Sequence, residues 1–154
     1  MPAFGKESIK HLSTCHPDIQ KVFNAVIKNF DCSVLYGFRT EEEQLELFKQ
    51  GRKLVDGIWT VVNPLQVVTY KDGVKEKSMH NYYPSFAIDV VPYYQDPPNI
   101  RWKDRERMYY FAGYVIATAK YLGVDLRSGA DWDQDTEVLD QTLMDLPHFE
   151  RTRA

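Results

Sequence analysis

Of the chain's 154 residues, 44% are hydrophobic and 27% charged, the profile of one compact domain over residues 1–154 and not of a disordered or collagen-like chain. Nineteen Lys and Arg against 22 Asp and Glu leave a net charge of −3, so no global positive field is present to hold a nucleic acid by its phosphates. The longest apolar runs, such as residues 86–92, are interrupted by Asp89 and fall far short of the roughly 20 residues needed to cross a bilayer, so no membrane insertion is expected.

The opening residues, MPAFGKESIK, lack the apolar core and small-residue cleavage site of a secretory signal. The expectation is a protein made without a signal peptide, cytoplasmic or exported by another route. Pro17 suits the first turn of a helix, and Ile19, Val22, Phe23, Val26, Ile27 and Phe30 follow at the spacing of one buried helical face. Residues 32–36, partly β-branched and closed by Gly37, predict a strand ending in a turn. Cys15 and Cys32 fall in different elements with no CxxC spacing, which predicts free, partly buried thiols and leaves nitrogen and oxygen to hold any metal. Thr40 and Glu43 make a capping-box pattern, so a second helix is expected over residues 41–50, stopped by Gly51.

Between residues 52 and 77 the pattern turns irregular, and the Asp72-Gly73 pair predicts a hairpin turn. Phe86, Ile88 and Val90 then alternate with Ala87, Asp89 and Val91, the period of a strand that turns Asp89 away from the large apolar residues. A carboxylate in such a strand is expensive and needs a reason. After a Pro-rich link, Met108, Phe111, Ala112, Val115, Ile116, Ala119 and Leu122 predict a third amphipathic helix, stopped by Gly123. The remaining residues form short apolar pieces broken by Gly129, Asp131, Asp133 and Pro147. Helices alternating with a few short strands predict an α+β fold, a small antiparallel sheet with helices packed on one side.

Of the four histidines, His11 and His16 have no carboxylate pattern around them and read as surface or helix-end residues. His80 is followed nine residues later by Asp89, with a loop between them, and His148 stands in Asp145-Leu146-Pro147-His148-Phe149-Glu150. Two imidazoles and one carboxylate fill three corners of a zinc tetrahedron and leave the fourth for water. Asp145 is placed to take that water's proton. The residues alone leave two readings open, a metal centre or a set of ordinary hydrogen-bonded side chains.

Ser78-x-His80 with Ala87-x-Asp89, followed by Asp145-x-x-His148-Phe149-Glu150, resembles the paired signatures of the zinc D-Ala-D-Ala carboxypeptidase and dipeptidase family. Tyr36-Gly37-Phe38-Arg39-Thr40, with Gln44 and Gly51-Arg52, is similar to that family's Gly-aromatic-Arg segment and following helix. Leu122-Gly123 through Gly129-Ala130-Asp131-Trp132 resembles another of its stretches, with Ala130 where Gly is usual. The Asp-x-x-His form and the DLPHFE ending look most like the phage L-alanyl-D-glutamate endopeptidase, or endolysin, branch. One departure is that the loop from His80 to Asp89 is two residues longer than the common form and lacks its glycine, so Tyr82 and Tyr83 would line or narrow the groove.

The resemblance implies zinc ligated by His80, Asp89 and His148, with Asp145 as general base and acid and Arg39 stabilising the oxyanion. It further implies that Ser78 binds substrate or braces the site, that Trp132 and Tyr82 contact substrate, and that Glu150 receives the second N–H of a ligating imidazole. The implied activity is hydrolysis of the peptidoglycan stem peptide between L-Ala and D-Glu by a monomeric phage lysin. Such a lysin is made in the host cytoplasm and released to the wall by a membrane-permeabilising partner. The alternatives are a D,D-carboxypeptidase, releasing D-alanine, and a catalytically silent zinc-stabilised module that binds the cell wall or sits in a virion.

Overall fold

The computed structural model describes residues 1–152. Two N-terminal helices, α1 (Lys6–Leu12) and α2 (Pro17–Val26), lead into β1 (Cys32–Tyr36), α3 (Glu41–Lys49) and a hairpin of β2 (Arg52–Val55) and β3 (Ile58–Val61). After a long loop come β4 (Ala87–Pro92), α4 (Arg105–Tyr121), β5 (Leu126–Ser128) and β6 (His148–Arg151). The main sheet has the order β1-β4-β6-β5 and is antiparallel throughout. No described helix is long and apolar enough to cross a membrane.

Local sequence accounts for the helix starts. Pro17 occupies the first turn of α2, and the His16 ring nitrogen accepts the Asp18 N–H at 3.1 Å, which makes His16 the helix-end residue that the sequence suggests. Thr40 caps α3 by accepting the Glu43 N–H, and Asp104 caps α4 by accepting from Arg107. Helix α4 closes at Gly123, whose φ of +73° suits a residue without a Cβ. The buried faces of α2 and α4 pack on the sheet side that carries Ile88, Val90 and Phe149. The Phe149 ring meets Phe23 and Phe111 edge-on, at centroid distances of 5.5 and 6.0 Å. Full burial of each such ring contributes about 1.5–3 kcal/mol. The expected α+β layering is therefore present, with the helical core on one face of the strands and Asp89 and His148 on the other.

Two local expectations need correction. The strand begins at Ala87, leaving Phe86 just outside it with its N–H on the Met79 carbonyl. The hairpin turns at Asp56-Gly57, both residues at positive φ, and not at Asp72-Gly73. Both sites carry the Asp-Gly signal, but only the first is flanked by segments that pair residue for residue, from Arg52 opposite Val61 to Val55 opposite Ile58. At the second, the Asp72 carboxylate gathers the N–H groups of Val74, Lys75 and Glu76 into a compact loop.

Cys15 and Cys32 are free and buried. Burial pushes the Cys15 thiol up to about 12 and raises that of Cys32 as well, so neither is a thiolate near neutrality. The native protein is expected to resist a thiol-specific reagent at pH 8 and to label at both cysteines once denatured. Rapid labelling of the native form would contradict this packing.

Candidate metal centre and cleft

Sheet register builds the site. Pairing of β4 with β6 sets Asp89 directly opposite His148, while their neighbours Ile88 and Phe149 pair on the core side. Period-two alternation then sends both polar side chains to the face away from the helices. His80 arrives from a 3-10 turn, Met79–Asn81, whose first N–H groups are held by the Ser78 hydroxyl at 3.3 Å from His80 N. That turn is stapled to the segment after β1: Arg39 N–H donates to the His80 carbonyl at 2.8 Å, and the Asn81 amide donates to the Arg39 carbonyl at 2.9 Å. Gly37, in the same segment, packs closely on the end of α1, where a Cβ would lie 2.4 Å from the His11 carbonyl oxygen.

The three side chains converge. Asp89 Oδ1 lies 3.4 Å from His80 Nε2 and 3.3 Å from His148 Nδ1. The ring centroids of the two histidines are 5.2 Å apart. The Asp89 side chain is 16% exposed, yet its Oδ1 is sealed from solvent and has no hydrogen-bond partner among the described residues. An orphaned buried carboxylate oxygen is costly; facing two ring nitrogens, it fits a third party that accepts electron pairs from all three atoms. His80, Asp89 and His148 thus form a group that could hold a metal ion.

The outer ring nitrogens support this orientation. His80 Nδ1 sits 2.7 Å from the Gly37 carbonyl oxygen, and His148 Nε2 sits 2.8 Å from Glu150 Oε1. Each contact requires a proton on the outer nitrogen, leaving Nε2 of His80 and Nδ1 of His148 to face Asp89. Glu150 is in turn held by Arg127, Nη2 to Oε2 at 2.8 Å. Burial works to raise the Asp89 pKa, but the two imidazoles outweigh it and hold the carboxyl well below the ordinary range. Burial also opposes charge on His148, where Asp89 and Glu150 prevail and push its pKa up to about 9. Glu150 is brought down to about 2 against its own burial by His148 and Arg127.

A cleft of about 420 Å³ opens over the cluster. Arg39 and Asp145 line it together with the three clustered residues, as do Ser78 and Trp132. Arg39 Nη2 stands 3.8 Å from Asp89 Oδ2. Asp145 begins the turn into β6, its carbonyl accepting the His148 N–H at 3.1 Å. Burial, assisted by the Asp89 charge, raises the Asp145 pKa against the pull of His148, His80 and Arg39. The Trp132 indole N–H is fixed on the Leu143 carbonyl at 2.8 Å, and its ring lies 5.3 Å from that of His148. Tyr82 is placed elsewhere: its ring packs 5.1 Å from Phe86 and is not part of the cleft wall. A larger hollow of about 600 Å³ near Lys6, Asp31 and Tyr93 lies away from this chemistry.

Several participants act through contacts to which the sequence reading assigned no role. Arg127 reaches Glu150 only because β5 pairs with β6. Gly37 contributes a carbonyl, which any residue type could supply. Gly129 matters through close approach, since a Cβ there would lie 2.1 Å from the Asp145 carbonyl oxygen. Asp131, Asp133 and Asp135 also cluster, with the Asp131 carboxylate accepting the N–H groups of Asp135 and Thr136.

A buried His-Asp-His cluster with a further carboxylate and a guanidinium in the same cleft is a layout suited to metal-assisted hydrolysis. A family model described as phage L-alanyl-D-glutamate peptidase matches residues 2–152, and the chain belongs to that family. It is 26% identical over 140 residues to the L-alanyl-D-glutamate peptidase of Escherichia phage T5, covering 90% of this chain and 87% of that protein. In fold it resembles the crystal structure of the Serratia marcescens L-Ala D-Glu endopeptidase ChiX. The TM-score is 0.62 and the identity 19%, over 98% of this chain and 91% of that one.

Two outcomes are expected from this geometry. Glu150→Gln, which keeps the size and removes the charge that orients His148, should weaken divalent-metal affinity about 10–100-fold in a chelator competition. Gly129→Ala should cost about 1–3 kcal/mol in denaturant unfolding, because the Asp145 backbone must move to admit a Cβ; unchanged stability would contradict the close approach.

Proposed function

We propose that this chain is a zinc-dependent endopeptidase that cuts the stem peptide of bacterial peptidoglycan between L-Ala and D-Glu. In this reading it acts as a single catalytic domain, as a monomer and as a phage lysin that meets the wall after release from the host cytoplasm. The observation that carries the proposal is the orphaned Asp89 Oδ1 facing His80 and His148, in a cleft shared with Asp145 and Arg39. Family membership and the names of the relatives support the choice of bond.

His80, Asp89 and His148 would hold the zinc. When bound, the ion supplies a Lewis acid and lowers the pKa of water. Asp145 takes the proton of the attacking water on its carboxylate and delivers it to the departing amine of D-Glu. Burial that pushes the Asp145 pKa up suits that double duty, since the group must both accept and release a proton. Arg39 offers fixed, permanently charged donors to the carbonyl oxygen as negative charge develops there. Trp132 forms a flat wall for the peptide beside His148, and Ser78 acts by bracing the His80 turn.

The test is digestion of purified peptidoglycan by the metal-loaded protein, with identification of the new amino termini. D-glutamyl termini are expected from the wild type, and free D-alanine would instead assign a carboxypeptidase. Asp145→Asn should keep its metal and lose about 10²–10⁴-fold in rate, whereas His80→Ala should lose the metal itself. Metal bound without cleavage by the wild type would make the centre structural.

A further inference from the structure

Gln44 is a polar side chain that the reaction as described does not use, yet it is only 1% exposed. It lies on α3 and spends its whole amide. Oε1 accepts from Arg39 Nη1 at 2.9 Å, while Nε2 donates to the Lys71 carbonyl at 2.9 Å and to the Thr69 hydroxyl at 3.3 Å. The orientation is fixed by chemistry: a guanidinium only donates and a carbonyl only accepts, so a flipped amide would lose both contacts. Gly73 seals the arrangement, because a Cβ there would come within 2.9 Å of Gln44 Cβ.

An apolar side chain here would leave Arg39 Nη1, the Thr69 hydroxyl and the Lys71 carbonyl without this partner, so a buried, fully engaged amide points to a task. Arg39 has Gln44 at one end and Asp89 at the other. At 3.8 Å, its Nη2 stops short of a close, two-pronged pair with the Asp89 carboxylate, the arrangement that a free guanidinium prefers. Without an acceptor at the far end, the flexible arginine is drawn onto Asp89. Its N–H groups would then be spent on that carboxylate and turned from the cleft.

We propose that Gln44 is a positioning residue that holds the Arg39 guanidinium off Asp89 and directed at the reacting carbonyl oxygen. The inference rests on the reading of Arg39 as the group that stabilises that oxygen. Through Nε2 the same amide ties the cleft wall at residues 69–71 to the arginine, so the wall that receives the peptide and the group that acts on it share one anchor.

The experiment is a double-mutant cycle on the metal-loaded protein, with peptide hydrolysis, metal content and thermal unfolding measured for each variant. Gln44→Met, close in size and without the acceptor, is expected to lower kcat about 30-fold with KM and metal content nearly unchanged. Gln44→Glu gives up the donors to Thr69 and Lys71 but keeps an acceptor for Arg39, the contact on which the proposal turns, and should retain kcat to within about threefold. In an Arg39→Ala background, Gln44→Met should cost less than about twofold, because the group it positions is gone. An equal loss in both backgrounds, or a folded Gln44→Glu as impaired as Gln44→Met, would overturn the proposal. Should Gln44→Met fail to fold, the Gln44→Glu result decides alone. Wild-type kcat in Arg39→Ala is a separate outcome, and it would remove the reading of Arg39 on which the proposal stands.

Discussion

Asp89 is an anion on an interior strand of the sheet, and most of the polar structure around it follows from keeping it there. Burial alone would raise its pKa and favour the neutral acid. Two imidazoles facing it reverse that preference. Each partner must itself be held. His148 leans on Glu150 and Glu150 on Arg127; His80 leans on the Gly37 carbonyl. One buried carboxylate therefore recruits three strands and two loops. The side chains that hold it are the same ones that present three lone pairs toward a common point.

The two faces of the sheet divide the work. Phe149, Ile88 and Val90 pack against α2 and α4 and fix the strands to one another. With the strands fixed, the register that sets Asp89 beside His148 cannot slip without exposing the aromatic core, since a one-residue shift exchanges the faces. Rigidity of the polar face is thus supplied by the apolar one. The remaining groups, Asp145 and Arg39, come from turns pinned to that frame by backbone hydrogen bonds, through Gly129 in one case and His80 in the other. A cleft on rigid strands with its acid and its guanidinium on anchored turns suits chemistry that tolerates little misplacement.

Much of this was legible in the sequence because the relevant signals are short and local. Pro17, Thr40 and Gly123 mark helix ends by chemistry that acts within one turn, and alternation around Asp89 exposes an acid out of place. The His80, Asp89, His148, Asp145 and Arg39 set could be named from motifs, and the structure brings all five to one cleft. What failed depended on pairing between segments. Asp72-Gly73 and Asp56-Gly57 look alike until the strands that flank them are compared. Arg127 acts through a contact across 23 residues of chain, which leaves no local pattern to find, whereas Gln44 stands in a recognisable segment but gains its partner, Arg39, only from the fold.

In the proposed reading one metal ion is held by Nε2 of His80, Oδ1 of Asp89 and Nδ1 of His148. Anomalous diffraction at the zinc absorption edge, from crystals of the protein purified with zinc and without chelator, tests it directly. A single strong peak is expected within bonding distance of those three atoms, with the Gly37 and Glu150 contacts intact on the far side of each ring. No peak at the cluster, or a peak only among Asp131, Asp133 and Asp135, would contradict it.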